Sequence, residues 1–579
     1  MFLNQAARFG ADAFLHARDG KGWTSVSWAE AADRALRLAA ALKALGIAKG
    51  DRVMLVSENR PEWMIAELAI LCAGAIAVPA YTTNTTADHV HVLTDSGAVA
   101  AFVSTEALAL RLLPAVAQSH DCCHVISIEE LGLGQQQVAQ LHLWNDLIAR
   151  HEPAGPSPGR RDETAVLIYT SGTGGAPKGV MLSHGAILCN CAGAVYLFRN
   201  SGFDRESFLS FLPLSHSYEH MAGQFLPIAI GAEVYYASGL ETLAQDMMDA
   251  HPTIMTAVPR LFEVLAARIQ AGIARAKPFQ RRLFEKTLDI GRKRLAAPAS
   301  LSIGERLLDC LLEVLVRRKV RARFGGRLRF MVSGGAPLNR DVGSFFMALG
   351  INILQGYGQT ESAPVISCNP PERIRIETVG PLFRGVEARI ADDGEICVRG
   401  ELVMQGYWKK PEATAEAIRD GWLHTGDIGT FDDDGYLHIT DRKKDIIVNS
   451  GGDNISPQRI EGFLTLEPEI LQAMVFGDKR PHLVALIVPD EATARTWAVA
   501  QGKAESSLAE LCADAAFQAF IGEAVKRVNE RLAQIERVRR FILTPDAFTV
   551  DNEQMTPTMK PRRHILRKVY GERLEALYR

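Results

Sequence analysis

Two periods alternate along the first quarter of the chain. Ala31, Ala35, Leu38 and Leu42 recur at helical spacing behind Ser27, a residue type that caps helix N-termini, whereas Val53-Met54-Leu55-Val56 is a short, continuous apolar run of the kind that fills a buried strand. The pattern then predicts a helix over 61–72, a strand over 75–78, a helix around 89–93 and strands over 99–103 and 125–128. Such alternation predicts parallel sheets covered by helices on both faces.

Residues 130–163 are polar and rich in Gln, Pro and Gly, which predicts a surface excursion. Ala165-Val166-Leu167-Ile168 reads as a buried strand and residues 183–197 as a helix with Ser183 as its cap. Between them lies Tyr169-Thr170-Ser171-Gly172-Thr173-Gly174-Gly175-Ala176-Pro177-Lys178-Gly179. A turn of glycines, hydroxyls and one lysine between strand and helix suits a polyphosphate: glycines let backbone N–H groups approach the oxygens, and the lysine adds positive charge. The spacing excludes a mononucleotide P-loop, because Pro177 precedes Lys178 where glycine is required and Gly179 follows where a hydroxyl residue is required.

Further strands are predicted over 208–212, leading into Pro213-Leu214-Ser215-His216, and over 232–236 and 254–258. Residues 262–329 break the rhythm with two helical stretches dense in Arg and Lys, from Arg281 to Arg323, with Leu307, Leu308, Leu311, Leu312 and Leu315 between the charges. Two readings stand: a solvated face balanced by Glu285, Asp289, Glu305, Asp309 and Glu313, which charge runs generally favour, or a membrane-surface contact. A strand over 329–332 runs into Ser333-Gly334-Gly335-Ala336-Pro337, and one over 352–354 into Gln355-Gly356-Tyr357-Gly358-Gln359-Thr360-Glu361. From Val386 onward short strands and the turns Asp393-Gly394, Asp420-Gly421 and Asp434-Gly435 predict antiparallel β structure. The charged segment Asp441-Arg442-Lys443-Lys444-Asp445 marks a domain boundary; beyond it a helix over 457–464, strands over 472–476 and 483–488 and a long helix near 517–532 form a smaller unit.

Bulk composition narrows the class. The chain has 579 residues, with 64 basic and 67 acidic residues giving a net charge of −3, which supplies no global reason to bind nucleic acid. Nine scattered cysteines, an odd number, do not make a disulfide framework and favour a reducing, cytoplasmic setting. The first residues lack the pattern of a secretory signal, and the most apolar stretch, 63–81, is interrupted by Glu67, Gly74 and Pro79, so no membrane span is expected.

Four glycine-punctuated turns therefore remain as candidate chemistry, taken to lie at strand ends where α/β sheets bind ligands. Tyr357 offers a flat face to a purine, Glu361 a hard oxygen to Mg²⁺, and Asp427 a carboxylate to two ribose hydroxyls. Taken together with Gly421-Trp422-Leu423-His424-Thr425-Gly426-Asp427, the charged segment and Pro557-Thr558-Met559-Lys560, these motifs resemble, in order, those of the adenylate-forming superfamily.

The resemblance implies a large N-terminal α/β domain (1–440) of two helix-covered sheets plus a β subdomain, a hinge (441–445) and a small mobile α+β C-terminal domain (446–579). It implies that Thr170, Ser171, Gly172, Thr173, Gly174, Gly175 and Lys178 hold the β- and γ-phosphates of ATP, that Gly335, Ala336 and Tyr357 line the adenine site, and that Gly358 also binds ATP. Thr360 would touch the α-phosphate, Glu361 and Thr173 would serve Mg²⁺, Asp427 would grip the ribose, and Arg442 would lie beside it. Lys560 would bridge the substrate carboxylate and the α-phosphate during adenylation. Rotation about Lys444 would then bring Ser450, Gly451 and Gly452 to a CoA channel for thioester formation. The basic insertion and the Pro213–His216 turn resemble the long-chain fatty acyl-CoA synthetase branch, with His216 at the acyl pocket; its other reading is a strand-end histidine satisfied by a backbone bond. Two departures stand out: Gly174 replaces a usual threonine, and Pro561 follows Lys560 where an aliphatic residue is usual.

Overall fold

The computed structural model describes all residues except 21, 133–138, 171–175, 204, 240, 444, 452 and 557–560, and describes 298 and 454 by their backbone alone. Local signals set the helix ends. Ser27 and Glu30 close a reciprocal capping box at the start of the Trp28–Ala44 helix. Pro61 opens the Pro61–Ala73 helix, and Gly74, in the left-handed conformation at φ 83°, ends it.

Among the described residues two eight-stranded sheets form the body. One runs, in spatial order, Gly406–Tyr407, Lys178–Ser183, Thr164–Thr170, Ile76–Ala80, Arg52–Val56, Ala98–Val103, His124–Ser127 and Gln140–Leu143. Its centre is parallel, as the alternation predicted. The other runs Val365–Cys368, Ile353–Gly358, Phe330–Ser333, Ile254–Ala257, Ser207–Ser210, Glu233–Tyr236, Ala13–Asp19 and Gly22–Ser27. Helices cover both sheets; Trp28, for example, stacks on Phe14 with ring centroids 3.6 Å apart. A five-stranded antiparallel sheet follows, turned by the three predicted Asp-Gly pairs. The C-terminal portion has its own apolar clusters around a three-stranded sheet of Ile470–Phe476, Leu483–Pro489 and Val538–Leu543.

Four expectations change. The glycine-rich loop does not join a strand to a helix: Lys178–Ser183 is itself a strand, antiparallel to Thr164–Thr170, with Thr170 opposite Lys178. Val180 and Leu182, both buried, alternate along it and fill the core as strand residues. The Gly421–Asp427 motif likewise does not end a strand. From Trp422 on it lies inside Trp422–Phe431, where Gly426 at φ 73° kinks the chain and the register shifts next to Ile428. The stretch 130–163 is less of an excursion than its composition suggests: Gln140–Leu143 is an edge strand, and Trp144 and Leu147 of the next helix are buried. The basic region is three helices, Pro259–Ala274, Pro278–Ala296 and Ile303–Leu312, the last continuing through a π-helical turn to Ala322. It is not uniformly solvated, since the Arg317 side chain is fully buried against Asp309 at 2.7 Å.

Candidate active site

The hairpin, the turns after the second sheet's strands, the kinked strand and the C-terminal portion face one cavity of about 2880 Å³. Thr170 and Lys178 stand at the hairpin stem and line it; Ser171, Gly172, Thr173, Gly174 and Gly175 lie outside the described residues, as do Lys444, Gly452 and Lys560.

Around Glu361 three residues converge from separate elements. Tyr407, on the strand that pairs with the hairpin, donates its hydroxyl to Glu361 Oε1 at 2.8 Å. Lys178 Nζ sits 4.5 Å from the centre of the Tyr407 ring, within cation–π range. Burial, then the Glu361 charge, pushes the Tyr407 phenol far above its usual range, so it stays a hydrogen-bond donor. One phenol thus ties a cation to a carboxylate that keeps its other oxygen for a hard cation. The Glu361 backbone is held by Met404 N–H, which donates to its carbonyl at 2.9 Å. Thr360 is buried, with its hydroxyl 2.9 Å from that of Ser217.

A second group centres on Asp427, which is buried. Tyr357 donates its hydroxyl to Oδ2 at 2.8 Å and Arg442 Nε to Oδ1 at 3.0 Å. The strand register sets this arrangement by placing Asp427 opposite Arg442. Each oxygen retains a lone pair for further donors, the pattern that suits a vicinal diol. Gly335 at φ 80° and Ala336 are exposed on the cavity wall. Gly358 is dictated by close approach, since a Cβ there would sit 1.8 Å from the Pro364 carbonyl oxygen.

One wall of the cavity is apolar, formed by Ala194, Phe198, Met221, Ala222 and Leu226. His216 has the satisfied backbone bond of one of its sequence readings. It lines the cavity, and its Nδ1 accepts from Tyr218 N–H at 3.3 Å, capping the turn that carries Ser217. Behind this wall Glu219 is fully buried, taking hydrogen bonds from Ser210 at 2.6 Å and Thr256 at 2.5 Å; burial raises its carboxyl to about 7.

The C-terminal portion presents Thr556 and Pro561 to the cavity, the residues flanking Pro557–Lys560. Ser450 and Gly451, the expected channel residues, are not among its lining residues. They are exposed on a separate hairpin, where Ser450 N–H donates to the Arg480 carbonyl at 3.0 Å. Lys443, beside the hinge position, pairs with Asp393 at 2.6 Å and Glu395 at 3.3 Å. Tyr407 and Ser217 escaped the sequence reading. Tyr407 follows a glycine in Gln405-Gly406-Tyr407-Trp408, a local aromatic signal, but nothing in its spacing links it to Glu361, 46 positions earlier.

The AMP-binding enzyme family profile matches residues 2–408, and the AMP-binding enzyme C-terminal domain profile matches 444–579. A long-chain-fatty-acid–CoA ligase of Mycobacterium bovis is 35% identical over 574 residues, covering 96% of this chain and 92% of the relative. Long-chain-fatty-acid–CoA ligase 1 of Cavia porcellus is 31% identical over 600 residues, covering 96% and 82%. Among solved structures, the adenylation domain of a carboxylate reductase from Mycobacterium chelonae matches with a TM-score of 0.80 at 23% identity, over 100% of this chain and 90% of that one. A benzoate CoA ligase from Burkholderia xenovorans LB400 matches with a TM-score of 0.72 at 22% identity, over 98% of each. At these identities the two structures establish the shared fold.

Proposed function

The chain belongs to the AMP-binding enzyme family, and from that premise we propose that it is an ATP-dependent long-chain fatty acid:CoA ligase acting through an acyl-adenylate. The observation that carries this reading is the meeting, in one cavity, of the Lys178–Tyr407–Glu361 and Tyr357–Asp427–Arg442 groups with an apolar wall.

In the first step a fatty acid carboxylate oxygen attacks the α-phosphorus of ATP and the bond to pyrophosphate breaks. Negative charge gathers on phosphoryl oxygens, so fixed cations and donors are needed around them. Lys178 and the loop 170–175 would hold the leaving pyrophosphate, Thr360 the α-phosphate, Asp427 the ribose hydroxyls, and Gly335, Ala336, Tyr357 and Gly358 the base. Glu361, with an oxygen beyond the one Tyr407 occupies, fits Mg²⁺, which would offset phosphate charge when bound. Thr173 is read as serving the same ion. Lys560 would bridge the two reacting groups.

In the second step the CoA sulfur attacks the acyl carbon and AMP leaves. Rotation of 446–579 about Lys444 would withdraw Lys560 and carry Ser450, Gly451 and Gly452 to the pantetheine channel. The exposed position of Ser450 and Gly451, away from the cavity, supports reading this arrangement as the adenylating one. A cytoplasmic enzyme making a peripheral lipid contact within 281–323 completes the reading.

The test measures fatty acid-dependent pyrophosphate release, then thioester formation with CoA and with a holo acyl carrier protein. Release of pyrophosphate and acyl transfer to CoA are expected. Transfer to the carrier protein alone would make it a carrier-loading ligase, and no pyrophosphate release at all would leave a fatty-acid binder. Lys560→Ala should reduce adenylation at least a hundredfold, on the order of 3 kcal/mol of transition-state stabilisation; full adenylation by that variant would refute the assigned role.

A further inference from the structure

The helix Ile303–Leu312 and its continuation to Ala322 carry an uncovered apolar stripe. Ile303 is 80% exposed, Leu307 69%, Leu311 52%, Val314 49% and Leu315 37%. These positions follow helical spacing, with the π-helical turn 313–317 letting Val314 and Leu315 both face outward. The opposite face is anchored: Leu312 and Val316 pack in the same apolar cluster as Leu261 and Leu265, two residues of the cavity wall.

Charge is sorted across the same helix. Each of its acids is paired: Glu305 with Lys293 at 2.8 Å and Asp309 with Arg294 at 3.0 Å on the neighbouring helix, Asp309 also with Arg317 at 2.7 Å and Glu313 with Arg321 along the helix itself. None of the three is exposed. Arg306, Arg318, Lys319 and Arg323 are exposed beside or beyond the stripe. The outward surface is therefore apolar and basic, with the helix's acids each taken up in an ion pair. A solvated helix has no use for five exposed aliphatic side chains in a row, and an apolar protein groove would not call for the flanking cations. An anionic lipid surface accommodates both, taking up the aliphatics at the acyl boundary and the cations at the headgroups.

We propose that the outward face of 303–322 docks on an anionic lipid bilayer, lying in the plane of the interface. The inference rests on the lipid contact already read within 281–323, and transfers it from the charge-dense Pro278–Ala296 helix, whose exposed face also carries Glu285 and Asp289, to this stripe.

The full chain would be floated with vesicles of phosphatidylcholine alone and with vesicles containing roughly one-third phosphatidylglycerol. Binding to the anionic vesicles is expected, weakening as salt rises. The double variant Leu307→Asp/Leu311→Asp should lower the bound-to-free ratio at least about tenfold, and Arg318→Glu/Lys319→Glu should lower binding selectively on anionic vesicles. Val499→Asp, at a 66% exposed site in the C-terminal portion, should leave binding unchanged. Circular dichroism and CoA-ligase activity in a lipid-free assay, measured for every variant, report folding and the ligase reading separately. Failure of the wild type to bind anionic vesicles, or equal binding by Leu307→Asp/Leu311→Asp, would overturn the proposal. So would a lipid-free dimer that the double variant dissociates, which would give the stripe to a second copy of the chain.

Discussion

Tyr407 stands between a cation and a carboxylate, with its ring under Lys178 and its hydroxyl on Glu361. Removing that hydroxyl in Tyr407→Phe keeps the ring and should leave Lys178 in place while freeing Glu361. The Mg²⁺ concentration for half-maximal pyrophosphate release should then rise about three- to tenfold, as expected for one lost hydrogen bond to a charged group. An unchanged Mg²⁺ dependence would show that Tyr407 does not position Glu361. Gly358 makes a harsher test, because Gly358→Ala sets a methyl group against the Pro364 carbonyl. It should displace the turn bearing Thr360 and Glu361 and lower adenylation at least tenfold, measured by acid-dependent pyrophosphate exchange. At this scale the sequence displayed the residues whose motifs are contiguous, such as Tyr357 and Glu361. It concealed Tyr407 and Ser217, which reach Glu361 and Thr360 only through sheet pairing and a capped turn, contacts that no local spacing encodes.

Elements explain where prediction held and where it slipped. Pro457–Leu464 appeared as read, because proline at its start and a clear apolar stripe both mark it. The strand Lys178–Ser183 did not, because its alternation is short and lies between a glycine-rich loop and a capped helix. Behind the apolar wall, the π-helical turn His220–Phe225 packs on Glu219 so closely that a Cβ at Gly223 would lie 2.3 Å from the carboxyl oxygen. Burial raises the Glu219 carboxyl from 4.5 to about 7. Between those values the folded protein keeps a proton that the unfolded chain has lost, so stability falls as pH rises through the window and levels off above about 7. Glu219→Gln removes that titration. The wild type's loss of stability between about pH 5 and 8 should exceed the variant's by about 2–3 kcal/mol. Thermal unfolding at several pH values checks this, and parallel pH curves for the two proteins would refute it.

For the whole molecule, the cavity is walled by both the body and the C-terminal portion, with Arg531 paired to Asp341 and Arg260 bonded to the Leu471 carbonyl across the junction. An exposed ion pair such as the first stabilises by about 0.2–1 kcal/mol, small enough to be broken in turnover. If rotation at Lys444 separates the two steps, Lys444→Pro should slow thioester formation at least tenfold more than adenylation, as read by single-turnover assays of each step; equal losses would sink the rotation. The hairpin adds a consequence of its own. Because a strand intervenes, the helix His184–Leu197 begins at the far end of Lys178–Ser183, a strand's length from the hairpin stem at Lys178. A phosphate cradle built on a helix end carries its attraction permanently in the backbone. Here the pyrophosphate would be held by the loop and Lys178, while Lys560, which would reach the α-phosphate, would depart with the moving domain. Part of the positive charge around the phosphates would thus be withdrawn after each adenylation, so the motion that prepares the next step would also loosen the hold on pyrophosphate.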